Sequence, residues 1–303
     1  MRKNAKKSQT EKLPSVSIVI ATYNNAKVLR RVLKAMLAPD YNAPCEIIVV
    51  SDGSSDGTKE MMANEFSREK KISFINFDKN FGVCRARNAG IARASGEIVV
   101  NMDHDCVPAK DWLSEMVKPF KDPHVGIVSG YGGFGGTSTA FRKELLDRVG
   151  GYDEEYFYYR EDTDLAFKIM ELGYGFVSVK KRYFHDHVET KPEGPVNLAR
   201  YVLKRLAYHQ NDVLLYKKHH ALAGKFLDVK FGFLVNPKAD FGIITGGWHP
   251  KAKFELSSPR GITFIENRTP LHSAFIIFIG ICFVAALKMS RLVGSVKHRK
   301  LLL

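Results

Sequence analysis

Two aspartates, Asp103 and Asp105, stand directly after the apolar run Glu97–Met102 (EIVVNM). Carboxylates so spaced at a strand end reach one hard cation, and Mg2+ or Mn2+ held this way carries diphosphates. Such a cation acts as a Lewis acid on a departing diphosphate. An acidic turn after a strand is the structural alternative. Asp52 sits in the loop SDGSSDGT after another apolar run. It can accept a hydrogen bond from a base or a ribose, or simply close an Asx-turn. Glu161 and Asp162 open a helix-forming stretch, EDTDLAFKIMEL. They complement the helix dipole, or one of them takes a proton from a hydroxyl as general base. Asp164, two positions on, reads as structural. His185 and His187 flank Asp186. Each is a metal ligand or a surface histidine.

These groups need a frame. Val16–Ala21, Glu46–Val50, Ile72–Phe77 and Glu97–Met102 are short apolar runs, as buried parallel strands require. Between them lie helical patterns. Val28, Leu29, Val32, Leu33, Met36 and Leu37 share one face, with Asn24 or Asn25 as cap. Asp56 or Thr58 opens the next helix, and Gly82–Ala94 forms another. Alternating strands and helices imply a mostly parallel sheet covered on both faces. Ligands collect at the carboxyl ends of such strands, where Asp52, Asp103 and Asp105 fall. Further on, Lys110–Phe120 reads as a helix, Val125–Ser129 as a strand, and Gly130–Gly136 (GYGGFGG) as a flexible loop. Lys143–Val149 and Glu161–Leu172 read as helices, and Phe176–Val179 as a strand.

The chain has 303 residues, 45% hydrophobic and 26% charged, an ordinary globular composition. Four cysteines at no metal or redox spacing point to neither a zinc site nor a disulfide framework. The net charge of +14 is concentrated partly at the two ends. Basic ends suit an anionic membrane, at about 1 kcal/mol per Lys or Arg near it. Nucleic acid is the rival partner, but no nucleic-acid motif is present. Val16–Ala21 is too short for a secretory core, so no signal peptide is expected. Val196–His220 is helical and basic. Ser273–Leu287 is free of charge but short for a span, which needs about 20 residues. Spanning, interfacial or re-entrant, and buried placements all remain open for it.

In sequence, a strand ending in TYN, SDGSSDGT, NFGVCRARNAG, GEIVVNMDHD, an ED-bearing helix and a histidine pair follow one another. Over Ser15–His187 this order resembles glycosyltransferase family 2. The resemblance implies the GT-A fold: α/β and Rossmann-like, with a mostly parallel central sheet flanked by helices. By it, Tyr23 stacks on the nucleobase and Asp52 hydrogen-bonds it. Asn80, Gly82 and Arg87 lie in the donor loop. Asp103 lies near the ribose, and Asp103 and Asp105 bind a divalent metal, Mn2+ or Mg2+, with Asp105 the better ligand. Glu161-Asp162 matches the ED motif, with Asp162 the better base. One of His185 and His187 matches a histidine that binds metal in some members. There are departures: Ser51 stands where many members carry a second aspartate, and the QxxRW motif of processive synthases is missing.

The implied activity is inverting transfer of one sugar from a nucleotide-diphosphate sugar, UDP-linked by family default, to an acceptor hydroxyl. A glycan or lipid-linked acceptor at the cytoplasmic face of a membrane is expected. The expected organisation is a basic tail (1–14), the GT-A domain (15–195), a basic helical extension (196–270), a hydrophobic membrane segment (271–290) and a second basic tail (291–303). Two rivals are a nucleotidyltransferase and a non-catalytic GT-A scaffold. The first normally carries a glycine-rich phosphate loop that TYNNAKVLRR lacks.

Overall fold

The computed structural model describes residues 13–37, 39–186, 192–245 and 269–303, and the backbone of 253–258 and 261–266. It divides into two compact units, Met1–Glu189 and Thr190–Leu303.

The first unit is α/β. Its chain order is β1 (Val16–Thr22), α1 (Ala26–Met36), β2 (Cys45–Ser51), α2 (Thr58–Met61), β3 (Ile72–Asn76), α3 (Val83–Arg93), β4 (Ile98–Asn101) and β5 (Cys106–Pro108). Then follow α4 (Trp112–Val117), β6 (Val125–Ser129), β7 (Thr139–Arg142), α5 (Lys143–Val149), α6 (Glu161–Glu171), β8 (Gly175–Ser178) and β9 (Tyr183–His185). The main sheet runs β3-β2-β1-β4-β7-β6-β8. β3, β2, β1 and β4 are parallel, as the apolar runs require, while β7 is antiparallel to both its neighbours.

Ile18 and Val19 are both buried although they point to opposite faces, the mark of a sheet covered on both sides. α1 covers one face with Leu29, Val32, Leu33 and Met36. α3 approaches β1 closely because residue 90 is glycine: a Cβ there would lie 2.4 Å from Val19 Cγ1. Asn25 occupies the cap position of α1, but its side chain makes no capping bond. Asp56 does that work instead. Its Oδ2 accepts from Ala26 N–H at 2.8 Å, and its Oδ1 accepts from Thr58 N–H at 3.2 Å, so one carboxylate ties the starts of α1 and α2. The expected helix Lys110–Phe120 is shorter, α4 giving way to a 3-10 turn at Lys118–Lys121 where Pro119 lacks an N–H.

The second unit holds α7 (Pro195–Ala207), α8 (Gln210–Lys218), α9 (His220–Phe226), β10 (Val229–Lys230), β11 (Leu234–Val235), α10 (Pro237–Thr245), β12 (Lys253–Ser258), β13 (Gly261–Glu266) and α11 (Pro270–His298). The basic helical stretch is thus two helices. α7 buries none of its residues, whereas α8 buries Asp212 through Tyr216. α11 extends well beyond the charge-free run read from the sequence.

Candidate active site

The loops after β2 and β3 are built as one wall. Asp52 follows β2 and is buried. Its Oδ1 accepts from Phe81 N–H at 2.7 Å and its Oδ2 from Gly82 N–H at 2.9 Å. Gly53, at φ +72°, lets the 79–80 backbone cross directly over it, since a Cβ would lie 2.3 Å from the Lys79 carbonyl carbon. The Asp52 carboxylate therefore fixes where α3 begins. Tyr23, just past β1, and Asn80 are exposed on this side. The Asn24 carboxamide oxygen accepts from Ser55 N–H at 2.8 Å and joins Tyr23's neighbour to the same loop.

α3 carries Arg87 in its second turn, and Arg87 is buried. Its Nη1 donates to Asp162 Oδ1 at 2.9 Å and lies 3.9 Å from Glu161 Oε1. Its Nη2 donates to Asp103 Oδ1 at 3.2 Å. One guanidinium thus links the DHD loop to the opening of α6. The chain enters α6 through Tyr159 and Arg160 at positive φ, 73° and 78°, a sparsely populated conformation for non-glycine residues. The glycine-rich loop presses on this cluster from outside. A Cβ on Gly136 would lie 2.4 Å from Arg87 Nη2 and 2.7 Å from both Asp162 oxygens.

Burial makes the two carboxyls reluctant to ionise. Glu161 is pushed up to about 7, first by burial, then by the adjacent Asp162, with Arg87 pulling the other way. Its Oε2 has no hydrogen-bond partner. Asp162 is also raised by burial, and Arg87 opposes the shift. Tyr152 adds a hydrogen bond to Asp162. The Tyr152 hydroxyl accepts from Asn101 Nδ2 at 2.6 Å, and its ring lies under the Arg87 guanidinium at 5.2 Å. Asn88, one residue past Arg87, bonds both backbone groups of Tyr152 at 2.8 Å each and holds that loop in place.

The second cluster forms where β5 and β9 pair antiparallel, Cys106 opposite His185. Ligand atoms of Asp103, Asp105, Cys106 and His185 all lie within 4.8 Å of one another. His185 Nε2 is 3.4 Å from Asp105 Oδ1. The Asp186 N–H donates to the Asp105 carbonyl at 2.7 Å and locks the two loops together. Burial pushes the Cys106 thiol up. Two carboxyls and an imidazole remain as donors, a set that fits Mn2+ or Mg2+. Asp103 belongs to both clusters, so the cation site and the Arg87 network share a residue.

Of the residues expected from the sequence, Arg87, Asp103, Glu161 and Asp162 converge, and Asp105 and His185 join them through Asp103. Asp52 does not join them through its carboxylate, whose oxygens are turned to the backbone of 81–82. Tyr23 and Asn80 lie on the same loops without a contact to the cluster among the described residues. His187 lies outside the described residues. Asp164 is buried and pairs with Lys168 at 3.0 Å, away from the cluster's centre. Sequence reasoning missed Asn101, Tyr152, Cys106 and Gly136. The one signal for them was position: a polar residue ending an apolar strand, and a glycine run before the ED helix.

A family model described as "Glycosyl transferase family 2" matches residues 17–188. Glycosyltransferase AglE of Haloferax volcanii is 34% identical over 122 residues, 40% of this chain and 40% of that protein. The poly-beta-1,6-N-acetyl-D-glucosamine synthase of Staphylococcus epidermidis is 34% identical over 125 residues, 41% of this chain and 30% of that one. These alignments span well under half of either relative. Among solved structures, mannosyltransferase PcManGT from Pyrobaculum calidifontis, in complex with GDP-Man and Mn2+, has a like fold. Its TM-score is 0.60 at 22% identity, over 95% of this chain and 87% of that one.

Proposed function

Since the chain belongs to glycosyl transferase family 2 and is a GT-A glycosyltransferase, we propose that it moves one sugar from a nucleotide-diphosphate sugar to an acceptor hydroxyl with inversion. The observation that carries this reading is the Arg87 guanidinium held between Asp162 and Asp103.

Asp162 is the general base. Burial raises its pKa, which strengthens it as a base because base strength follows pKa. The acceptor oxygen attacks the anomeric carbon as Asp162 takes its proton, and the bond to the diphosphate breaks on the opposite face. A single displacement needs one base and no covalent intermediate. Arg87 supplies positive charge next to the acceptor base and next to Asp103, where a diphosphate gathers charge as it leaves. Glu161, beside Asp162, sets the charge of the pair. Tyr23, Asp52 and Asn80 form the base and donor-loop side of the cleft. Asp103, Asp105 and His185 would hold Mn2+ or Mg2+, which supplies Lewis-acid stabilisation of the diphosphate when bound.

UDP- and GDP-linked sugars are the donors to try first. The solved relative of like fold carries GDP-Man. The acceptor is a glycan or lipid-linked glycan at the cytoplasmic face of a membrane, and one sugar is added per encounter. The basic ends and the apolar α11 support that placement.

The test is transfer by the full chain from UDP- and GDP-sugars to polyprenyl-phosphate and glycan acceptors, with the anomeric configuration of the product read by NMR. A product of opposite configuration to the donor is expected. Retained configuration excludes the single-displacement mechanism, and no turnover of any nucleotide sugar excludes the donor assignment.

A further inference from the structure

α11 is long and apolar enough to cross a bilayer, yet its surroundings in the second unit oppose a crossing. The Val235 N–H donates to the Leu303 carbonyl at 2.6 Å, and the Leu303 N–H donates to the Phe233 carbonyl at 2.7 Å. Lys288 pairs with Asp240 at 2.5 Å and reaches the Val235 carbonyl at 3.3 Å. The segment that opens α10 is therefore fastened to Lys288 within α11 and to Leu303 beyond its end, so residues 236–303 leave and return to one place. If α11 crossed the bilayer, the chain would first have to cross the other way between Asn236 and Thr269.

By sequence, no run in that stretch is long and apolar enough to do so. α10 has 9 residues, about 14 Å at 1.5 Å each, against a hydrocarbon layer of about 30 Å. It lies alongside α11 at Gly280, where a Cβ would be 2.7 Å from Ile244 Cα. The longest run in 236–269 without Asp, Glu, Lys or Arg is Phe241–Pro250, 10 residues that include Gly246, Gly247 and Pro250.

The exposed side of α11 points to a different placement. Leu271, Phe275, Phe278, Met289, Val293 and Val296 are exposed and recur at helical spacing along one face. The opposite face is turned inward: Arg291 pairs with buried Asp212 at 3.2 Å, and Ser290 donates to the Leu206 carbonyl at 2.6 Å. The apolar stripe thus continues through the half of the helix that is already tied to α7 and α8. From 271 to 296 it runs about 38 Å, longer than a perpendicular span uses. Exposed Lys297 and Arg299 border its end, the charge that anionic headgroups attract.

We propose that α11 lies in the plane of one leaflet of an anionic bilayer, embedded along the stripe from Leu271 to Val296, and does not cross. This rests on the membrane association proposed above and deepens it to a one-sided attachment, with both ends of α11 on the same face.

The full chain is mixed with sealed vesicles of phosphatidylcholine and phosphatidylglycerol. Thr269→Cys and Leu301→Cys, both at exposed positions, report the two ends of α11 with a membrane-impermeant maleimide, against the parent's own labelling. Both cysteines should label from outside, with no gain on lysis by detergent. A cysteine that labels only after lysis overturns the in-plane placement. Phe278→Glu and Val293→Glu should each reduce vesicle flotation about tenfold, because both positions lie in lipid. Flotation of Val293→Glu at the parental level also overturns it. A parent that does not float, or that is a dimer by light scattering and ignores vesicles, overturns the membrane association itself.

Discussion

Arg87 Nη1 donates to Asp162 Oδ1 at 2.9 Å while Nη2 of the same guanidinium donates to Asp103. The candidate base and the candidate cation site are therefore coupled through one buried cation. Arg87→Ala leaves Glu161 and Asp162 without their counter-charge. Removing one partner of a buried ion pair costs about 3–5 kcal/mol. The loss should be smaller at pH 5 than at pH 8, since both carboxyls already resist ionisation. Denaturant unfolding at the two pH values measures it, and an equal cost at both would contradict the charge account.

Asp162→Asn keeps a hydrogen-bond acceptor for Arg87 but cannot take a proton. We expect native circular dichroism, donor KM within a few-fold of parent, and kcat lower by about 10²–10⁴-fold. Parental kcat removes Asp162 from the base role.

Glu161 stands at about 7 in the fold against an ordinary value of 4.5. Between those two values the folded chain holds a proton that the unfolded chain has released. Stability therefore falls as pH rises through that window. Glu161→Gln removes the titration, so its melting temperature should gain on the parent's from pH 5 to pH 8. Parallel curves across that range would show that Glu161 ionises as freely in the fold as outside it.

Mn2+ should raise the melting temperature of the parent and leave Asp105→Asn nearly unmoved. A ligand at 100 times its Kd stabilises by about 2.7 kcal/mol. His185→Ala should weaken the effect without abolishing it. The same Mn2+ shift in parent and Asp105→Asn places the cation elsewhere.

Gly136→Ala puts a methyl within 2.7 Å of the Asp162 carboxylate and closer still to Arg87. Overpacking of this kind costs about 1–3 kcal/mol. The displaced pair should lower kcat by at least about tenfold, because catalytic geometry tolerates little displacement. Steady-state kinetics on the folded variant checks it; unchanged kcat would mean that the loop yields and the cluster does not.

The strands from β1 to β4 and the helices between them were legible in the chain itself. Val16–Ala21 and Glu46–Val50 bury both faces, and that leaves a continuous apolar signature needing no tertiary context. The family resemblance likewise named Asp103, Asp105, Glu161 and Asp162, since motif order survives in one dimension. β7 was not legible, because a four-residue strand flanked by a glycine loop has no periodicity to read. His185 could not be chosen over His187 by spacing. The pairing of β5 with β9 puts His185 beside Asp105, while His187 falls outside the described residues.

Local pattern determined which residues carry charge, where the sheet begins and which loops end its strands. Those properties depend on side chains a few positions apart, within reach of helix and strand periodicity. Tertiary structure alone decided that Arg87 joins Asp162 to Asp103, that Asp52 turns its oxygens to the 81–82 backbone, and that the two ends of the stretch from α10 to α11 are fastened together. Each of those contacts spans from 16 to 75 positions or ties segments through backbone bonds. No local propensity encodes such a pairing; it exists only once the sheet and its helices have packed.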